Sequence, residues 1–171
     1  MLHFAYGSNM DRAVMRRHAP AAIALGVASL SNHRFVITRD GYASVVPARA
    51  ETVHGVLWRL TPRDRVTLDL WENVSSGQYR IALLQIKQPD GFRALSLVYL
   101  GRSCLGRSYP GRSYLGHPRA AGRPKAGYMQ LVLAAARAWR FPEVYIAALQ
   151  RWLPAQPRGA GSRNLKEFGW T

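Results

Sequence analysis

Cysteine is almost absent from this chain, which has only Cys104 among its 171 residues. A single cysteine cannot form an internal disulfide or supply a structural zinc site, and the five histidines show no paired metal-ligand spacing. We therefore expect no bound metal and a reducing, cytoplasmic compartment. The N-terminal segment MLHFAYGSNM has neither a basic leader nor a long apolar region, so nothing in it indicates a secretory signal.

Long hydrophobic runs and the common cofactor motifs are also missing. No apolar run approaches the roughly 20 residues that a membrane helix needs, so no membrane partner is expected. No phosphate-binding loop or dinucleotide glycine fingerprint follows a strand-like run, and no Gly-x-Ser-x-Gly elbow occurs. The sequence thus gives no support for a nucleotide cofactor or for serine hydrolysis, and we predict no cofactor.

Acidic residues are scarce, since 9 Asp and Glu stand against 24 Lys and Arg and leave a formal net charge of +15. Such a charge can indicate an acidic partner such as nucleic acid or anionic lipid. An arginine-rich surface from a compositionally biased genome is the alternative that we favour. Six of the basic residues fall in one stretch without an acid: Arg102, Arg107, Arg112, Arg119, Arg123 and Lys125.

The length and the balance of 48% hydrophobic and 19% charged residues are typical of one folded domain, which we expect to span residues 1–171. Gly-Arg-Ser recurs at 101, 106 and 111, with a period too short for a solenoid unit. This composition favours an inserted basic loop at 100–125, and residues 155–171 are expected to form a tail. The loop could be a lid, a nucleic-acid arm or a tolerated surface insertion, of which we favour the last.

Local patterns predict alternating strands and helices. The apolar run Leu2–Tyr6 is expected to be a strand, and a helix should follow from about Met10 to His18. Asp40-Gly41 is a strong hairpin signal, and Thr61-Pro62 begins a capped helix that should run to Trp71 or Glu72. The remaining predictions are strands at about 22–30, 33–39, 43–47, 52–60, 78–87 and 92–100, and helices at 128–139 and 143–152.

The segment FAYGSNM at 4–10 is the first candidate for a functional site. Gly7 allows a sharp turn and close approach of backbone donors to a ligand, and the following helix offers its N–H groups to an anion. A Gly-Ser-Asn turn in which Asn9 caps the helix is also a common structural element. This segment alone therefore leaves both interpretations open.

The segment LDLWENV at 68–74 is the second candidate. Asp69 and Glu72 are three residues apart and can share a helix face, so each carboxylate should make ionisation of the other harder. If Glu72 also lies beside Trp71 and Tyr79 in a partly dry pocket, desolvation should raise its pKa further. A solvated helix end is the alternative interpretation.

Three segments in a fixed order carry a family resemblance: FAYGSNM, then HGVLWRLTPRDRVTLDLWENVSSGQYR, then GRPKAGYMQLVLAAA. Together they resemble the γ-glutamylcyclotransferase family, including its plant AIG2-like members. The resemblance covers nearly the whole chain apart from the Gly-Arg-Ser loop and the tail. It implies an α+β fold in which a small mixed β-barrel is surrounded by helices.

The resemblance also implies functional roles for particular residues. The family's acid-base glutamate corresponds to Glu72. Its γ-glutamyl-binding loop and two further tyrosines correspond to a substrate-binding set consisting of Phe4, Ala5, Tyr6, Gly7, Ser8, Asn9, Tyr79 and Tyr128. The basic loop departs from the family pattern, which leaves the size and identity of the substrate open.

The implied reaction is the cyclisation of a γ-glutamyl amine or γ-glutamyl amino acid to 5-oxoproline, with release of the free amine. Such a reaction fits these residues, because one carboxylate can take the proton from the attacking amine and return it to the leaving amine. A relative that acts on γ-glutamyl-amine crosslinks or on a γ-glutamyl-protected metabolite is a second enzymatic possibility. The alternative from another class is a catalytically retired scaffold that serves as a basic nucleic-acid-binding protein.

Overall fold

The computed structural model describes residues 1–102 and 122–153, which form five strands, four α-helices and one 3-10 turn. Residues 103–121 and 154–171 lie outside this description. The predictions for the tail and for most of the basic loop at 100–125, including Cys104, therefore lie outside the described residues, whereas Leu100 and Gly101 belong to the last strand. The elements in chain order are β1 Leu2–Ala5, a 3-10 turn Ser8–Met10, α1 Arg12–His18, β2 Ile23–Ile37, β3 Ala43–Arg59, α2 Pro62–Trp71, β4 Tyr79–Lys87, β5 Arg93–Gly101, α3 Tyr128–Ala138 and α4 Glu143–Gln150.

The five strands close into a barrel in the order β1-β3-β2-β4-β5. Strand β1 runs antiparallel to β3, with Phe4 opposite Leu57, and parallel to β5, with His3 opposite Leu97. The other pairs are antiparallel, so the sheet is mixed. The α+β barrel that the family resemblance implied is therefore confirmed.

Two long strands replace four shorter predicted ones. The runs at 22–30 and 33–39 are one strand, β2, and those at 43–47 and 52–60 are one strand, β3. The runs were predicted as separate strands, but the ladder between β2 and β3 continues through register shifts at Ala24/Gly26 and Ser31/His33. At the second shift Asn32 has a φ of 57°, and its side chain accepts a hydrogen bond from the Ala50 N–H at 3.3 Å. Bulges of this kind bend a strand without ending it.

The helix after β1 begins later than its sequence indicated. Asp11, rather than Asn9, caps it, because its carboxylate accepts from the N–H groups of Ala13 and Val14, both at 2.9 Å. The preceding residues Ser8–Met10 form the 3-10 turn. The side chain of Asn9 is thereby free of the capping function that the sequence suggested.

Helix α2 has the predicted start. Thr61 Oγ1 accepts from the Asp64 N–H at 3.1 Å, and the Asp64 carboxylate accepts from the Thr61 N–H at 3.0 Å. This reciprocal capping box fixes the first turn, and the helix ends at Trp71 with Glu72 as its C-cap. The two closing helices are separated at Pro142 as expected.

The apolar core fills the barrel and the space beneath the helices, where Phe4, Met10, Leu57, Leu68 and Met129 are almost completely buried. Among the described residues, no helix is long and apolar enough to cross a membrane. Within residues 1–102 and 122–153, no three His, Cys, Asp or Glu side chains are placed to hold a metal ion.

Candidate active site

A cavity of about 410 Å³ opens between the segment that follows β1 and the C-terminal end of α2. This volume lies within the range of small-molecule sites. Both segments that the sequence singled out line it. Its lining consists of His3, Phe4, Ala5, Tyr6, Gly7, Ser8, Asn9, Tyr42, Ala43, Leu70, Trp71, Glu72, Asn73, Gln78, Tyr79, Tyr99 and Tyr128.

Glu72 projects its carboxyl group into this cavity from the end of α2. The Asn9 side-chain amide donates a hydrogen bond to Glu72 Oε1 at 2.7 Å, which joins the two candidate segments directly. Burial of the carboxyl group raises the pKa of Glu72 to about 7, and the Asn9 hydrogen bond acts in the opposite direction. Glu72 is thus a carboxyl group that can change protonation near neutral pH.

Asp69 does not act on Glu72 in the way that the sequence suggested. Its carboxylate is bound by Arg65 Nε at 2.7 and 2.8 Å and by the Tyr99 hydroxyl at 2.6 Å. Burial, rather than repulsion from Asp69, raises the pKa of Glu72. The expected coupling of the two carboxylates is wrong, because an adjacent cation already compensates the charge of Asp69.

A side chain at Gly7 would have little space. The backbone of Gly7 has a φ of −116° and a ψ of −140°. A Cβ atom built there would lie 2.7 Å from the Tyr128 hydroxyl oxygen and 3.2 Å from Ala43 Cβ. The missing side chain therefore lets Tyr128 pack against Gly7. That Gly7 is also needed for a sharp turn stays a prediction.

Three tyrosines fix the backbone around the cavity. The Tyr79 hydroxyl donates to the Ala43 carbonyl at 2.8 Å, and the Tyr128 hydroxyl accepts from the Ala43 N–H at 3.1 Å. Burial raises the pKa of Tyr128 to about 12, while hydrogen bonds with Ala43 and Ser8 oppose this rise. The Tyr6 hydroxyl donates to the carbonyl of Tyr99. All three hydroxyl groups therefore have structural partners beside the cavity.

The structure brings the whole predicted set of site residues to one cavity. Phe4 and Ala5 line it as buried barrel residues, whereas Gly7 and Ser8 lie in the segment after β1. Asn9 lies beside Glu72, and its predicted substrate contact stays a prediction.

Several lining residues were missed by sequence reasoning. Tyr99 reaches Asp69 from β5, and His3 lies on β1 with its ring 5.3 Å from that of Tyr99. His3 is buried, its Nδ1 is 3.1 Å from the Leu97 carbonyl oxygen, and burial lowers its pKa to about 4. Neither β1 nor β5 alternates between buried and exposed residues near these rings, so no periodicity could have indicated their positions, and the β1–β5 pairing brings them together.

The fold and the cavity define a small-barrel protein with a partly buried carboxyl group in its candidate site. Residues 52–149 match the AIG2-like family, and the chain belongs to that family. The mouse γ-glutamylcyclotransferase is 27% identical over 109 residues, and the alignment covers 58% of this chain and 58% of the mouse protein.

Solved structures show the same architecture. One is a γ-glutamyl cyclotransferase, with a TM-score of 0.75 and 21% identity over 95% of this chain and 94% of that chain. Another is an uncharacterized human protein, with a TM-score of 0.75 and 22% identity over 95% of this chain and 93% of that chain. At these identities the similarity establishes the fold.

Proposed function

We propose that this protein is a γ-glutamylcyclotransferase-type enzyme in which Glu72 is the general acid and base. The single observation that carries the proposal is the partly buried Glu72 carboxyl group, whose pKa is raised to about 7 and which is held by Asn9 in the cavity that Gly7 and Ser8 also line. Membership of the AIG2-like family and the mouse relative's name support cyclotransferase activity.

The proposed reaction begins when the Glu72 carboxylate removes a proton from the α-ammonium group of a γ-glutamyl substrate. The freed amine attacks the γ-carbonyl carbon, so that a new C–N bond closes the five-membered ring. The γ-amide C–N bond then breaks as protonated Glu72 returns its proton to the leaving nitrogen. The ring nitrogen gives its second proton to the regenerated Glu72 carboxylate, which passes it to the released amine as that amine becomes an ammonium ion. With this second transfer atoms and charges balance without a cofactor, and a base with a pKa near the working pH is efficient in each step.

The segment after β1 supplies the remaining interactions in this proposal. The Tyr128 hydroxyl oxygen accepts from the Ala43 N–H and is approached by Ser8, so its own proton is available for an oxygen of the substrate. The Gly7 N–H and the Tyr128 hydroxyl, with Ser8 beside them, would hold the α-carboxylate or the oxyanion that develops on the γ-carbonyl. Holding the substrate curled brings amine and carbonyl together, which supplies much of the rate enhancement.

The direct test is a screen of γ-glutamyl amines and γ-glutamyl amino acids for release of 5-oxoproline, with the folded protein verified by circular dichroism. We expect release from at least one class, with the free amine formed in equal amount. Absence of 5-oxoproline across both classes would contradict the proposed function.

A further inference from the structure

The mouth of the cavity carries two large apolar side chains that solvent reaches. Leu70 is 67% exposed and Trp71 is 50% exposed, and both line the cavity directly before Glu72 in the chain. Val66, one turn earlier on α2, is 60% exposed and extends the apolar surface along the helix. Apolar groups left exposed at the rim of a cavity are typical of ligand-binding surfaces.

Trp71 is also held in place. The His18 ring stacks on its indole, with centroids 3.7 Å apart and planes inclined by 19°. This contact connects the ends of α1 and α2, and it restricts the rotation of an otherwise half-exposed side chain. Because the orientation of the Trp71 side chain is fixed before binding, it loses little conformational entropy when a ligand packs on it.

A different part of the mouth is polar. Tyr42 and Gln78 continue from the cavity into a neighbouring hollow that Lys125 and Asp40 also line. Because one acid and one base lie there together, this hollow does not favour an anionic group. The apolar surface of Leu70 and Trp71 is the more selective part of the rim.

We propose that Leu70 and Trp71 form a subsite for an apolar group on the leaving amine, so that the enzyme prefers γ-glutamyl derivatives of bulky hydrophobic amines. This inference rests on the proposed function, because it places the γ-glutamyl group at Glu72 and the leaving group at the mouth. Trp71 precedes Glu72, which returns the proton to the leaving nitrogen, and an apolar substituent on that nitrogen can pack on the indole.

The test compares three substrates with the same γ-glutamyl group, whose leaving amines are 2-phenylethylamine, ethylamine and 3-aminopropionate. We expect kcat/KM for the phenylethyl compound to exceed that for the ethyl compound by about 10-fold or more. Trp71→Ala should bring this ratio close to one, and Trp71→Phe should retain most of it. Phe92→Ala is the control, because Phe92 is also 50% exposed but does not line the cavity, and it should leave the ratio unchanged.

The ratio is informative because both values come from the same preparation, so an inactive fraction cancels. Comparing variants also removes any intrinsic difference between the two leaving amines. An intact-protein ratio near one, or a ratio unaffected by Trp71→Ala, would overturn the inference. Preference for the aminopropionate compound would also overturn it and would indicate recognition through Lys125.

Binding provides a readout that does not depend on turnover. Calorimetry with Glu72→Gln should show tighter binding and a more negative heat-capacity change for the phenylethyl compound than for the ethyl compound. If no compound is cyclised but this difference is present, the proposed function fails and the apolar subsite stands. If the two compounds bind equally, the subsite is wrong whatever the activity.

Discussion

Glu72 has unusual properties for a carboxyl group at a helix end. Such positions are normally solvated, but here the barrel wall and the segment after β1 enclose the group, and Asn9 gives it a single side-chain hydrogen bond. Desolvation therefore outweighs the stabilisation of the charged form by Asn9, and the pKa rises to about 7. The chemistry proposed for the site depends on this balance at one residue.

Replacing Glu72 tests its proposed role in proton transfer most directly. Glu72→Gln keeps the shape of the side chain but removes its capacity to accept a proton, so 5-oxoproline release should fall by about 100-fold or more. Glu51→Gln is the matched control, because Glu51 is exposed on β3 and only approaches Arg34 at 4.0 Å. Steady-state kinetics of both folded variants is the measurement, and near-normal turnover of Glu72→Gln would remove Glu72 from the mechanism.

The pH dependence of the reaction should report the same group. The raised pKa means that Glu72 ionises only as the pH approaches about 7, so kcat/KM should be low in acid and rise through that pH. Asn9→Ala removes the hydrogen bond that favours the ionised form and should move the rise to higher pH. A pH profile whose acidic limb is unchanged in Asn9→Ala would show that this contact does not tune the base.

Gly7 and Tyr128 should behave as a coupled pair. Gly7→Ala places a methyl group 2.7 Å from the Tyr128 oxygen, so that ring must move and affinity for 5-oxoproline should fall by about 10-fold or more. Tyr128→Phe removes the oxygen and should weaken binding by itself. In the double variant the methyl group has no oxygen to meet, so calorimetry should give a smaller loss than the sum of the two single losses. Additive losses would contradict the steric explanation.

At the scale of elements, α2 positions the catalytic candidate and its first turn depends on Thr61. Thr61→Ala removes the cap of the Asp64 N–H and should lower the free energy of unfolding by about 1 kcal/mol. Thr67→Ala is the control on the same helix, since Thr67 is exposed and its hydroxyl donates to the Arg63 carbonyl at 3.2 Å without capping the helix. Urea unfolding of the two variants should separate them, and equal midpoints would show that the capping box contributes little.

The sequence predicted some elements better than others for physical reasons. The α2 start, the Pro142 break and the Asp40-Gly41 turn depend on neighbouring residues, and all three are present. The continuity of β2 and β3 was missed because bulges are stabilised by cross-strand contacts such as Asn32 to Ala50. The start of α1 was misplaced because Asn9 and Asp11 are both good caps, and the contact of Asn9 with Glu72, 63 residues away, decides between them.

In the candidate site, too, the features that depend on local motifs could be predicted and those that depend on distant contacts could not. Glu72 and the segment Tyr6–Asn9 could be singled out by their motifs, and the structure brings them into one cavity. The source of the Glu72 pKa shift could not be predicted, because it depends on what covers the carboxyl group. Tyr99 and His3 were missed because their positions depend on pairing between strands that are distant in the chain.

At the scale of the whole molecule, helix α3 completes the site from the far end of the described chain. Tyr128 begins α3 and packs on Gly7, and the Trp139 indole N–H at the end of α3 donates to the Met10 carbonyl at 2.8 Å. The Arg12 guanidinium lies 4.2 Å from the Trp139 ring centroid. The segment after β1 is therefore held at several points by residues more than a hundred positions away.

The parallel pairing of β1 with β5 has a kinetic consequence. The His3 side chain meets the Leu97 carbonyl across 94 positions of sequence, and formation of such distant contacts slows folding. The segment Tyr6–Met10 directly follows β1, so its position depends on the pairing of β1 with β5. During refolding, the capacity to bind 5-oxoproline should therefore return together with barrel closure and after α2 has formed. Stopped-flow circular dichroism combined with product binding can order these events. The nascent chain should accordingly remain inactive until synthesis has passed β5 and reached α3.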